Sequence, residues 1–119
     1  MGNETYICMN VDFKNNKLKK QLTSPSEIKK AFGINAKRVS QRMDDINASN
    51  NLHILCNIPQ ANCHPLSGDK DGEWAVDISA NHRILFTITN DPIPVKKDGG
   101  IDRILVTGIQ IISAQQDYH

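Results

Sequence analysis

Two histidines and an arginine in this chain are of the types that cut RNA without a metal. His64 lies in the turn-rich stretch C-H-P-L-S-G-D-K, Arg83 in S-A-N-H-R-I-L-F, and His119 in the terminal D-Y-H. Such cleavage needs a base for the 2′-hydroxyl proton and an acid for the leaving 5′-oxygen. It also needs a cation against the charge that develops on phosphorus. Imidazole, with an unperturbed pKa of about 6.5, suits either proton role at neutral pH. Guanidinium presents a fork of donors to phosphate. Tyr118 offers a ring to stack on a base or a hydroxyl for a proton relay, and Asp117 a carboxylate to orient an imidazole. Each has a plainer use. His64, before Pro65, can simply shape a turn, and Arg83 can pair with Asp77 across a hairpin. His82 points to the opposite side of its strand from Arg83 and reads as structural.

A metal is the weaker reading of the same region. His53, Cys56, Cys63 and His64 fall close together, and the first pair has ligand-like spacing. Adjacent Cys63 and His64, however, rarely both turn to one tetrahedral ion. The three cysteines, Cys8, Cys56 and Cys63, are an odd number without framework spacing. They read as reduced thiols in a cytoplasmic protein. No apolar run approaches a bilayer span, and the N-terminus has no signal-peptide pattern, so no membrane role is expected.

The elements that must position these groups follow from periodicity. A chain of 119 residues is expected to form a single domain over 1–119. Thr5–Phe13 alternates apolar and polar residues and predicts a half-buried strand. Asn15 or Asn16 can cap a short helix through Leu22. Ser24-Pro25-Ser26-Glu27 is a helix start, with Ser24 at the N-cap and Glu27 closing a capping box. An apolar stripe from Ile28 through Phe32, Val39 and Met43 to Ile46 predicts one helix, continuing or bending at Gly33. Leu52–Ile58 reads as a connector that packs Leu52 and Leu55 inward.

Trp74, Val76 and Ile78 alternate with polar or small neighbours, Ala80-Asn81 suits a hairpin turn, and Ile84, Phe86 and Ile88 alternate again. Arg83 then faces away from the Ile84/Phe86/Ile88 side, onto a sheet face that a substrate can reach. Residues 90–103 form a long loop, functional or mobile. Ile104–Ala114 predicts a last, central strand. Helices segregated to one face of a largely antiparallel sheet make an α+β domain.

The net charge of +1 conceals a strong asymmetry. Residues 14–42 hold nine bases against Glu27 alone, whereas residues 43–119 hold five bases against ten acids. Lys29, Lys30, Lys37, Arg38 and Arg42 fall mostly off the apolar stripe. They predict either a solvated helix face or a surface for an anionic partner.

Six stretches, in order along nearly the whole chain, carry a family resemblance. They are L-K-K-Q-L, A-F-G-I-N-A-K-R-V-S-Q-R-M, P-Q-A-N-C-H-P-L-S-G-D-K, G-E-W-A-V-D-I-S-A-N-H-R-I-L-F, N-D-P-I-P-V-K-K-D-G-G-I-D and D-Y-H. The chain resembles a HigB-type toxin of the RelE/ParE superfamily of bacterial type II toxin–antitoxin pairs. The resemblance implies a microbial RNase-like fold, an N-terminal strand and two helices on a twisted, mainly antiparallel sheet. It implies a metal-independent, cofactor-free endoribonuclease that cuts translated mRNA on the ribosome. It implies neutralisation by a HigA-like helix-turn-helix antitoxin.

Carried over by position, the family's catalytic set falls on His64, Arg83, Asp117, Tyr118 and His119. The family pattern H-x-L-K-G has a lysine where this chain has Ser67. Serine supplies no cation, so stabilisation of the phosphorane would rest on Arg83 with help from Lys70. The helical bases would then meet ribosomal RNA phosphates. Two alternatives remain open at this point. One is a ParE-like inhibitor that binds DNA gyrase without catalytic residues. The other is a degenerate domain that only binds its antitoxin.

Overall fold

The computed structural model of the chain describes residues 9–70 and 72–117, with the backbone alone at 115–117. The expected strand from Thr5 is therefore seen only in its second half, β1 (Asn10–Phe13). Four helices follow: α1 (Asn16–Thr23), α2 (Pro25–Phe32), α3 (Ala36–Ala48) and the short α4 (Leu52–Cys56). Then come β2 (His64–Pro65), β3 (Glu73–Asp77), β4 (His82–Ile88) and β5 (Gly108–Asp117). The sheet order is β1-β5-β4-β3-β2, antiparallel throughout except for the parallel β1–β5 pair. This is an α+β fold. Among the described residues no helix is long and apolar enough to cross a membrane.

The helix starts obey local chemistry. Asn15 Oδ1 accepts from the Leu18 amide at 2.8 Å and Ser24 Oγ from the Glu27 amide at 3.3 Å. Each satisfies a first-turn N–H that has no partner within its helix. Asn51 does the same for α4.

The long stripe is not one helix. Gly33 adopts φ 54°, ψ −120°, a conformation that L side chains avoid, and the chain turns through Gly33–Asn35. Helices α2 and α3 then pack against each other, and Pro25 and Ile28 line one cleft with Ser40, Met43 and Asn47. The stripe survives because both helices turn it inward. Ile28, Phe32, Val39, Met43 and Ile46 are all buried.

One core results. Leu18, Leu22, the α2–α3 stripe, Leu52 and Leu55 pack on Trp74, Val76, Ile84, Phe86, Ile109 and Ile111. Trp74 and Phe86, paired across β3 and β4, stack with centroids 6.4 Å apart. The predicted strand starting at Ile104 begins only at Gly108. Residues Arg103–Leu105 form a 3-10 turn, and Ile104 and Leu105 stay exposed. The long loop is drawn together by a bridge between Val95 and Ile101.

Arg42 departs from its expected place on the outer basic face. It is buried, and its Nε–H donates to the Asp77 carbonyl at 2.7 Å. Its Nη1 pairs with Asp45 at 3.0 Å. A helix N–H cannot reach that carbonyl at the end of β3, and a long guanidinium can. Arg42 thus clamps the helical layer to the β3–β4 hairpin. Arg42→Ala removes this charged hydrogen bond and should lower unfolding free energy by about 1.5–3 kcal/mol. Lys37→Ala, on the exposed face, should leave the denaturation midpoint unchanged; urea titration compares the two.

Candidate functional site

Strand pairing decides which side chains share a face. His64 pairs with Ala75, Ala75 with Leu85, and Leu85 with Ser113, a single row across four strands. Side chains in such a row point the same way. Trp74, Val76, Ile84 and Phe86 turn to the helices, so His64, Ala75 and Leu85 turn away from them. Arg83 and Asp77, directly opposite one another, lie two residues along on the same face. His64 and Arg83 are therefore on the sheet face that the helices leave uncovered, as the alternation around Arg83 predicts. That face is not bare: Ala75 is 0% and Leu85 2% exposed, outside the main core.

His64 is set by its neighbour Asn62. Residues Pro59–Ala61 form a 3-10 turn that Asn62 ends at φ 45° and ψ 49°. Asparagine tolerates this left-handed conformation better than most residues. In that pose the Asn62 carbonyl accepts from His64 Nδ1 at 2.7 Å, while its side-chain Nδ2 donates to Asp77 Oδ2 at 2.8 Å. A carbonyl oxygen only accepts, so Nδ1 carries the proton. The neutral ring then has its lone pair at Nε2, the state required of a base. One residue thus ties His64 to Asp77, and Asp77 stands across the ladder from Arg83. Sequence reading missed Asn62. Its one local signal is an asparagine directly after a Pro-x-x turn.

Lys70, the other predicted cation, is placed differently. Lys70 ends a 3-10 turn between β2 and β3, and its ammonium lies 4.0 Å from Glu73 Oε1. Glu73 is on the His64 face, and this oxygen is buried with no hydrogen-bond donor among the described residues. Lys70 is thus shared with a carboxylate, and Ser67 beside it is exposed. Glu73 is a second residue that the sequence did not single out. His82 closes the hairpin, its Nδ1 3.0 Å from Ser79 Oγ, which agrees with a structural role.

The chain end is led to Arg83. Two register shifts between β4 and β5 place Gln116 opposite Arg83 and Asp117 opposite His82. Bulges of this kind bend a strand and re-aim the residues beyond it. Tyr118, His119 and the Asp117 side chain lie outside the described residues. The helical bases lie elsewhere. Lys29, Lys30, Lys37 and Arg38 are exposed on α2 and α3, the layer on the opposite side of the sheet from His64 and Arg83.

A cleft of about 600 Å³ is separate from this face. It is lined by His53, Pro65, Trp74 and Arg103 among others, on the side of β2–β3 that His64 does not face. Two members of the potential metal quartet have other partners: His53 Nε2 lies 3.2 Å from Asn57 Nδ2, and His64 Nδ1 donates to the Asn62 carbonyl.

No protein-family model matches the chain, and no curated protein matches it. Among solved structures it is similar to a YoeB/ParE toxin from Agrobacterium tumefaciens, at 17% identity and a TM-score of 0.48, over 92% of this chain and 100% of that one. A likeness so slight lends no weight to a function, which must come from the residues themselves.

Asn62→Ala keeps the fold but loses the Asp77 bond and strains the turn. It should cost about 1–3 kcal/mol. It should also broaden or shift the His64 ring nitrogen resonances, as ¹⁵N NMR would show. Unchanged His64 signals would mean that Asn62 does not set the ring.

Proposed function

We propose that this chain is the toxin of a type II toxin–antitoxin pair, a metal-independent endoribonuclease that cuts translated mRNA on the ribosome. The observation that carries the reading is His64, held with Nδ1 protonated on the sheet face that also bears Arg83. The motif resemblance to HigB-type toxins supports it, and a HigA-like antitoxin is the partner it implies.

His64 Nε2 takes the proton of a 2′-hydroxyl. The 2′-oxygen attacks the adjacent phosphorus, and the 5′-oxygen leaves, giving a 2′,3′-cyclic phosphate. The Nδ1–H bond to the Asn62 carbonyl steadies the imidazolium that forms, because the carbonyl dipole opposes its charge. Arg83 faces the non-bridging oxygens. His119, carried over from the family, protonates the leaving oxygen. Tyr118 stacks on the exposed base, and Asp117 orients the imidazole beside it. Ser67 cannot add a second cation, and Lys70 does so only against the pull of Glu73.

The helical bases have a different task. They lie across the sheet from the chemistry, so one mRNA strand does not meet both. A large RNA partner that surrounds the protein does. Ribosomal RNA against Lys29, Lys30, Lys37 and Arg38 fits this two-sided arrangement.

Induction of the chain alone should arrest growth, with in-frame cuts in a reporter mRNA seen by primer extension. His64→Gln and His119→Ala should each reduce cutting by roughly 10²- to 10⁴-fold without unfolding the protein. Arrest without cuts, unaffected by these changes, would move the reading to a gyrase-binding inhibitor. A folded chain that neither arrests nor cuts would leave only antitoxin binding. The helical face is tested apart from this. Replacing its four bases by alanine should flatten the salt dependence of ribosome binding, by roughly 0.7–0.9 in log–log slope for each phosphate no longer neutralised. His64→Gln should leave that slope alone.

A further inference from the structure

The proposed cleavage leaves a polar cleft at the β1 edge of the sheet unused. Its volume is about 560 Å³, and Asp12, Gln110, Lys14, Asn16 and Lys19 are among the residues that line it. Asp12 pairs with Gln110 across the parallel β1–β5 ladder, so the two side chains stand side by side. Ile109 and Ile111, on either side of Gln110, are buried in the core that the helices cover. Gln110 and Asp12 therefore turn to the other face. Gln110 also pairs with Thr87, and Thr87 with Glu73. This row of four polar residues thus lies on the face that bears His64 and Arg83.

The polar groups of the cleft are not engaged within the protein. The half-buried Gln110 side chain has no hydrogen-bond partner among the described residues. Lys14 and Lys19 are exposed and form no ion pair among the described residues. Asp12 Oδ2 receives only a long contact, 3.5 Å, from Asn10 Nδ2. The cleft therefore offers a carboxylate, an amide beside it, and two ammonium groups. One RNA base matches that set. The Watson–Crick edge of guanine carries two adjacent donors, N1–H and the N2 amino group, next to the acceptor O6. A carboxylate accepts from both donors at once, and a neighbouring amide N–H reaches O6. Adenine and cytosine set a ring-nitrogen acceptor against the carboxylate, and uracil offers it a single donor between two acceptors. The ammonium groups suit the phosphate.

We propose that this cleft binds a guanine nucleotide, with Asp12 and Gln110 reading the base and Lys14 and Lys19 holding its phosphate. That the nucleotide belongs to the mRNA strand rests on the nuclease reading; the base recognition does not. From His64 to Gln110 the sheet crosses three strand spacings, with an offset of two residues along the strands. The two positions are therefore about 16 Å apart. A strand of a few nucleotides spans that distance. The cleft then makes cutting depend on a guanosine at a fixed step from the scissile phosphate. Its residues select the strand and touch no reacting atom. A free guanine nucleotide presents the same base and phosphate and competes for the same groups.

The test is an NMR titration of the full chain with 5′-GMP, AMP, CMP and UMP, which needs neither cleavage nor a ribosome. GMP should shift the Gln110 side-chain amide and the Asp12 carboxyl resonances, and should bind roughly 10- to 100-fold more tightly than AMP. Asp12→Asn turns one acceptor into a donor and should abolish that preference, with the backbone spectrum still that of the folded chain. Lys14→Ala with Lys19→Ala should weaken all four nucleotides alike and flatten the salt dependence of their binding. His64→Gln should change none of these affinities, so failure of the nuclease reading and failure of the guanine site are told apart. A short 2′-O-methyl RNA with one guanosine cannot be cut. It should bind more tightly than GMP and lose affinity when inosine, which lacks the N2 amino group, replaces the guanosine. An RNA that binds no tighter than GMP would overturn the assignment to a strand and leave the free nucleotide as the ligand. Equal binding of all four nucleotides, shifts confined to other residues, or an Asp12→Asn chain that still prefers GMP would overturn the site.

Discussion

Burial of a single face of the β3–β4 ladder constrains everything else in this molecule. Trp74, Val76, Ile84 and Phe86 are almost wholly withdrawn from water, and each contributes on the order of 1.5–3 kcal/mol by leaving it. A slip of one residue would turn all of them outward together. The same slip would turn Asp77 and Arg83 inward. The register that protects the core therefore holds the polar set on the other side. No polar contact need specify it. Arg42 adds a direct tie, since its guanidinium holds the end of β3 at the residue opposite Arg83.

Much of this was legible in the chain, and the legible parts share a cause. Period two in Trp74–Ile78 and Ile84–Ile88 reports one-sided burial, so the face of Arg83 follows from arithmetic. Asn15 and Ser24 were readable as caps because their partners are three residues away. The features that escaped were long-range. The stripe from Ile28 to Ile46 has the same spacing whether one helix carries it or two antiparallel helices do. Only the backbone at Gly33 separates the cases. Arg42 has the same sequence surroundings as its exposed neighbours, and its burial depends on an acceptor 35 positions away. Ile104 and Leu105 look like core residues but sit in a turn, because β5 starts where it can pair with β4 at Ile88–Ile109.

The two basic features of the chain belong to different physical problems. Arg83 lies on the sheet face that carries the buried Ala75 and Leu85, where water screens a charge less than in open solvent. The lysines of α2 and α3 stand in solvent, where water and salt screen each charge. The acids lie mainly in residues 43–119, with Asp44 and Asp45 of α3 among them.

The segment from Cys56 to His64 joins these themes in nine residues. It leaves the core at Leu55, turns over Pro59 and returns to the core at Ala61 and Cys63, so its ends are pinned by burial. Between the pins the left-handed Asn62 is set by a bond to Asp77. A histidine on such a segment cannot shift alone, because moving the ring means moving the carbonyl that holds its proton. A change in the packing of Cys63 would therefore reach the ring through one peptide unit. The stiffness that keeps the ring in the tautomer of a base also makes it responsive to its neighbour.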